Sequence, residues 1–212
     1  MDYPAQGYLP EAMLNYLARL GWSHGDDEVF SMDQFCAWFN TDHLTRSAAQ
    51  FNNEKLAWLN NHYIKQADNA RLADLARPLM AAQGADFTDA PDLAAALGLM
   101  KERASTVNEL ADSAMLFFRT PEADPALVTQ HVTEAVKPAL TQFAELCQSV
   151  DWTREAIAPM VKEVLAAHGL KMPQLAMPLR LALTGQLQTP AIDAVIVLFS
   201  RETVLARVRK FL

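Results

Sequence analysis

The sequence predicts an all-α fold, and three observations carry that expectation. Helix start and stop signals recur along the whole chain, and apolar residues fall at helical spacing between them. The only compact apolar run, Ala194–Phe199, follows a helix-opening Thr-Pro pair and reads as a buried helix rather than a strand. A short hairpin near residues 24–31 is the one departure expected. Taken in order, Pro10 opens a helix whose stripe is Met13, Leu14, Leu17 and Leu20, and Gly21 stops it. Ser31 and Gln34 have the spacing of a capping box ahead of Phe35, Trp38 and Phe39. Asn52 caps a helix bearing Leu56, Leu59 and Tyr63. Asp68 precedes Leu72, Leu75 and Leu79, with Pro78 set to kink or split that helix.

The second half repeats the style. Pro91 and Asp92 open a run through Leu93, Leu97 and Met100, and Ser105 or Thr106 restarts it toward Leu110 and Phe117. Asp124-Pro125 is a cap with a first-turn proline, and Pro138 interrupts the run ahead of Phe143 and Leu146. Asp151 caps a helix that Gly169 ends, residues 178–185 form a short helix closed by Gly185, Thr189-Pro190 starts another, and Ser200 caps the last.

Composition narrows the function. With 51% hydrophobic residues in 212, the chain has enough apolar content for a packed core and is not disordered. No apolar run approaches the roughly 20 residues of a membrane helix, and the acidic, aromatic start Met1-Asp2-Tyr3 is unlike a signal peptide. A soluble, cytoplasmic chain is the expectation. Net charge is −7, but unevenly spread. Residues 1–179 hold 13 basic against 23 acidic side chains, whereas residues 180–212 hold five against two, enough to offer phosphates a local positive face.

Chemistry is scarce. The seven glycines are isolated, which excludes a phosphate loop. The five histidines stand too far apart for a local metal motif. Cys36 and Cys147 make neither a disulfide framework nor a zinc site, and Cys36 is expected to be buried and unreactive between Phe35 and Trp38. Ser23-His24-Gly25-Asp26 reads as a tight turn, not a triad. Aromatic residues crowd between Trp22 and Tyr63, as for the core of a small first domain, with Arg46, Lys55, His62 and Lys65 on its rim able to meet phosphates.

Three stretches carry a resemblance. The first is Gly7–Leu17 followed by Leu20–Asp26. The second comprises Ser47-Ala48-Ala49, Phe51, Lys55-Leu56, Trp58-Leu59-Asn60 and Tyr63-Ile64. The third comprises Pro178-Leu179-Arg180, Leu183-Thr184-Gly185 and Thr189-Pro190. In order and spacing the chain resembles the bacterial glutamyl-tRNA synthetase family, class I. The family's His-Gly-His-type motif and lysine loop, which bind ATP and activate glutamate, do not occur in these 212 residues. The resemblance is therefore to the C-terminal, tRNA-binding half without the catalytic domain, inactive alone as an enzyme. It implies a stem-contact domain over 1–66 and an anticodon-binding domain of two helical subdomains, 67–138 and 139–212.

The resemblance also implies a function: recognising the stem and anticodon of tRNA-Glu so that the full-length enzyme attaches glutamate with ATP and Mg. This chain itself would need no cofactor or metal, and would be a monomer without DNA or membrane partners. Arg103, Lys162, Arg180, Thr189, Pro190 and Ile192 match positions that reach the anticodon. Arg46, Lys55 and Lys65 are the stem-contact candidates. Asp193 departs from the pattern, since some members carry an aromatic there and a carboxylate is a poor stacking partner. The physics agrees with these roles: arginine offers a planar donor fork, and Thr189-Pro190 sets backbone N–H groups at a helix start. The alternative is a helical protein-interaction or regulatory module derived from the synthetase. An independent enzyme has almost no residue support.

Overall fold

The computed structural model describes residues 2–45 and 50–212. Its twelve described α-helices are α1 (Pro10–Gly21), α2 (Met32–Trp38), α3 (Asn53–Gln66), α4 (Asn69–Ala82), α5 (Leu93–Met100), α6 (Val107–Ala114), α7 (Pro125–His131), α8 (Lys137–Leu146), α9 (Arg154–Ala167), α10 (Met172–Thr184), α11 (Ile192–Leu198) and α12 (Arg201–Arg209). Among the described residues there is no strand, only an isolated bridge between Trp22 and Leu44. The hairpin expected at 24–31 does not form. Gly25 at φ +53° and the bond from Asp27 N–H to His24 O make a turn, but Asn15 takes the following segment. Its Oδ1 accepts from Phe30 N–H and its Nδ2 donates to Glu28 O, so no ladder partner is needed. No helix among the described residues is long and apolar enough to cross a membrane.

The chain divides into two compact units. The first comprises residues up to Met80 together with Met100–Ser113. Here α1 packs on α2 and α3, and α3 on the 3-10 turn Lys101–Arg103. Tyr16, Leu56 and Leu59 form a buried cluster against which Met13, Leu20 and Tyr63 pack. A buried amide ties the unit together: Asn60 accepts from Leu9 N–H at 2.8 Å and donates to Gly7 O at 3.3 Å and Ser105 O at 2.6 Å. Gly7 stands at φ +82°, and a Cβ there would lie 2.7 Å from Asn108 N.

The α1 stripe differs from the expected one. Leu14 and Leu17 are 48% and 51% exposed, while Ala12, Asn15 and Tyr16 are buried. The helix is therefore rotated toward a core that Tyr16 and the Asn15 hydrogen bonds define. The aromatic crowd is likewise only partly a core. Trp22 and Phe30 are buried, Phe35 and Trp38 half-buried, and Phe39, Phe51 and Trp58 exposed. No residue of α2 is buried, and Cys36 is exposed, contrary to expectation. The Ser31–Gln34 capping box is present, as is the Asn52 cap. Pro78 lies inside an unbroken α4 rather than splitting it.

The second unit comprises Ala81–Leu99 and Ala114–Leu212. Its centre is α10, which packs against α7, α9, α11 and α12. Leu175, Ala176, Leu179, Leu181, Ala182 and Leu183 bury most of its circumference, as a helix apolar on nearly all sides must. This helix starts at Met172, six residues before the expected 178, because Gln174 Oε1 accepts the Lys171 N–H and the backbone runs through Pro178. Gly185 ends it in the left-handed region at φ +71°. Thr153, not Asp151, caps α9, and α11 starts at Ile192 after the Thr189-Pro190 turn. Ser200 caps α12.

Candidate nucleic-acid interface

The second unit brings four of the six anticodon candidates onto one structural corner. α10 carries Arg180 between two buried leucines, so its Cα is fixed while its side chain remains half-buried. The guanidinium reaches the loop after α10, where Nη1 lies 3.4 Å from Leu187 O and Nη2 3.5 Å from Pro190 O. Its buried Nε has no partner. These contacts are long, so they hold the loop loosely and leave donor capacity over. Thr184 fixes the loop's first residue by accepting from Gln186 N–H at 3.2 Å and donating to Arg180 O at 2.8 Å. Thr189 Oγ1 donates to Pro190 O. Thr189 and Pro190 are half-buried, whereas Ile192 is buried. The Ile192 side chain therefore shapes the turn from beneath.

The other candidates stand elsewhere. Lys162 is exposed on α9, which packs against both α10 and α11. Arg103 belongs to the first unit, exposed at the end of the 3-10 turn. Its neighbours are engaged: Lys101 Nζ donates to Ala67 O and Asn69 Oδ1, and Glu102 pairs with Lys65 at 3.7 Å. Of the stem-contact candidates, Lys55 is bonded to Glu28 at 2.6 Å, and that bond and charge hold the Glu28 carboxyl below its usual range. Arg46 lies outside the described residues, as do Ser47, Ala48 and Ala49. Lys55 and Lys65 thus present half-neutralised charge rather than bare cations.

Two arginines of the positive tail serve the fold, while Arg209 and Lys210 stay exposed. Arg201 donates to Gln148 O and Val150 O at 2.7 and 2.6 Å and lies over the Trp152 ring, whose Nε1 donates to Phe199 O. Arg207 donates to Leu183 O and sits 4.5 Å over the Phe199 ring, where burial pulls its pKa below the ordinary value. Both arginines close the ends of α8 and α10 by satisfying carbonyls that no helix bond reaches.

Sequence reasoning missed an ion pair at the edge of the Thr189–Ile192 turn. Arg154 Nε donates to Asp193 Oδ2 at 2.6 Å. Burial pushes the Asp193 carboxyl up, but the Arg154 bond and charge and the backbone N–H groups outweigh it and hold the carboxyl low. The two residues are 39 apart, and no local pattern joins them. No group of three His, Cys, Asp or Glu among the described residues could hold a metal ion.

The second unit thus gathers an arginine, a Thr-Pro turn and apolar support around one loop, and comparison with known proteins gives its family. Residues 71–212 match the anticodon binding domain family, and the chain belongs to that family. Residues 1–58 match the catalytic domain of class I tRNA synthetases (E and Q), although the described part of that stretch holds only α1, α2 and the start of α3 joined by turns and carries neither catalytic motif. What the chain resembles along its whole length is the C-terminal part of glutamate–tRNA ligase. It is 70% identical over 210 residues to that ligase from Janthinobacterium sp. (strain Marseille), covering 99% of this chain and 45% of the relative. It is 68% identical over 212 residues to the one from Herminiimonas arsenicoxydans, covering 100% and 45%. The crystal structure of a glutamate tRNA ligase from Elizabethkingia meningosepticum, in complex with its amino acid, superposes with a TM-score of 0.82 at 29% identity, covering 99% of this chain and 42% of that one. The chain spans under half the length of the curated relatives it matches.

Proposed function

We propose that the chain holds tRNA-Glu by its stem and anticodon so that a full-length ligase can attach glutamate in an ATP-dependent reaction. The observation that carries this reading is the corner built by Arg180 and the 187–190 loop, inside a stretch that matches the anticodon-binding family throughout. Arg180 supplies a planar set of donors with capacity to spare, Thr189 and Pro190 an apolar shelf, and Ile192 its support. Arg103 and Lys162 are further anticodon contacts in this reading, and Lys55, Lys65 and Arg46 meet the stem within a domain spanning 1–66. The two helical subdomains, 67–138 and 139–212, make up the anticodon-binding part.

In the family this chain resembles, ATP and magnesium are used together with a His-Gly-His-type motif and a lysine loop that do not occur in these 212 residues. Both belong, in this reading, to the remainder of the ligase, and the protein works in the cytoplasm as a monomer. Recognition is sequence-independent at the phosphates and base-specific at the anticodon.

The test is an anisotropy titration with tRNA-Glu and with the same tRNA altered at the middle and third anticodon bases, at two salt concentrations. Tighter, salt-sensitive binding to the intact anticodon is expected. Arg180→Ala should cost about 1–3 kcal/mol with the cognate tRNA and less with the altered one. Equal losses on both would remove Arg180 from specificity. Equal weak binding of the unmodified chain to both tRNAs would count against anticodon reading altogether.

A further inference from the structure

Arg154 is the first residue of α9, and its side chain is 55% exposed while that of Asp193 is 19% exposed. The pair is lopsided: the carboxylate is the sheltered partner, tucked into the first turn of α11, and the guanidinium is the part shown to solvent. Only Nε of Arg154 is used, and neither Nη makes a bond within the described residues. An exposed pair of this kind adds little to folding, so stability alone gives it little purpose. Its position gives it another. Asp193 follows directly on the Thr189–Ile192 turn, so an unpaired carboxylate there would repel RNA at close range. Arg154 cancels that charge, and its bond through Nε to Asp193 anchors the guanidinium at 2.6 Å while both Nη groups stay unbonded among the described residues and the side chain stays 55% exposed.

We propose that Arg154, oriented by Asp193, is a further anticodon-loop contact, offering its guanidinium face to an unpaired base beside the Thr189–Ile192 turn. This rests on the anticodon-binding reading of that turn. A base fits better than a phosphate because the Arg154–Asp193 pair is neutral as a unit, so its long-range pull on a phosphate is small. The planar face remains, and stacking on arginine is a general way of holding unpaired bases.

The experiment titrates the 212-residue chain with an anticodon stem-loop of tRNA-Glu over a range of salt. R154K, which keeps the charge but not the plane, is expected to weaken binding about tenfold, the scale of one lost stacking contact. R154A should weaken it further, because it also bares the Asp193 carboxylate to the RNA. The double variant R154A/D193N, neutral like the native pair, should lose the same about tenfold with its melting temperature close to the parent's. The slope of log affinity against log salt should stay unchanged in R154K and in the double variant. Full affinity in R154K, or a slope reduced by about one in the double variant, would make the contact a phosphate contact and overturn the base assignment. Restored affinity in R154A/D193N would show that only the bared carboxylate mattered, and would overturn it too. Parent binding with R154A equally tight removes this contact alone, whereas no binding by the parent chain overturns the anticodon reading beneath it.

Discussion

Gly185 ends α10 at φ +71°, and a Cβ there would stand 2.8 Å from the carbonyl oxygen of Glu122. Gly185→Ala therefore meets both a left-handed backbone and another segment's main chain, and should cost about 1–3 kcal/mol. Urea denaturation measures this, and an unshifted midpoint would show that the loop can yield. The cysteines give a second residue-scale outcome. Burial pushes the Cys147 thiol up to about 12, whereas Cys36 is exposed. One thiol per native chain should react promptly with a disulfide reagent at neutral pH, and the second only on unfolding. Prompt reaction of both would mean that the α8 end opens. Gly185 was legible in the sequence because a helix stop needs that residue. The exposure of Cys36 was not, since Phe35 and Trp38 beside it imitate a buried stripe.

Among the elements, α2 is closed by a cap and packs through its aromatic side alone, Phe35 meeting the Trp22 ring at 5.3 Å and Trp38 the His24 ring at 4.2 Å. The Ser31–Gln34 box satisfies two end donors, and none of its seven residues is buried. Ser31→Ala should accordingly leave the global melting temperature nearly unchanged while hydrogen exchange in Met32–Trp38 speeds up, the local loss being about 1 kcal/mol. A global loss of the same size would show that α2 is part of the cooperative core. Caps at Ser31, Asn52 and Ser200 could be read in advance because they are local chemistry. The rotation of α1 could not, because it depends on Asn15 reaching Glu28 and Phe30. Neither could the start of α10, where prolines at 173 and 178 masked a continuous helix.

Across the whole molecule, carboxylates held low by arginine or lysine contribute to the response to acid. Glu11 is lowered chiefly by its bond to Arg71, Glu28 by Lys55, and Asp193 by Arg154 against the opposing effect of burial. A lowered folded-state pKa means stability that is complete above the ordinary carboxylate range and lost as pH falls through the lowered values. Stability should thus hold at pH 6 and decline below about pH 4, with Glu11→Gln flattening part of the fall. A Glu11→Gln profile that overlays the parent's would remove that pair from the effect. The helical class was legible at this scale, and so was the family, through order and spacing. The candidate corner was legible only by resemblance: its geometry depends on α10 and the 187–190 loop meeting in space. The positive tail was legible only in part: Arg209 and Lys210 stay exposed, but charge counts do not reveal that Arg201 and Arg207 are clamped on carbonyls and rings.

The exposed stretch of α1 has a practical consequence for measuring any of this. Leu14 and Leu17 join Phe30, Met32 and Phe35 around an apolar crevice of about 520 Å³ in the first unit. Dyes that brighten on greasy surfaces will lodge there in the native state. Dye-based melting curves will begin bright and understate the transition, whereas tryptophan emission reports unfolding through the buried Trp22, over a background from the exposed Trp58 and the half-buried Trp38 and Trp152.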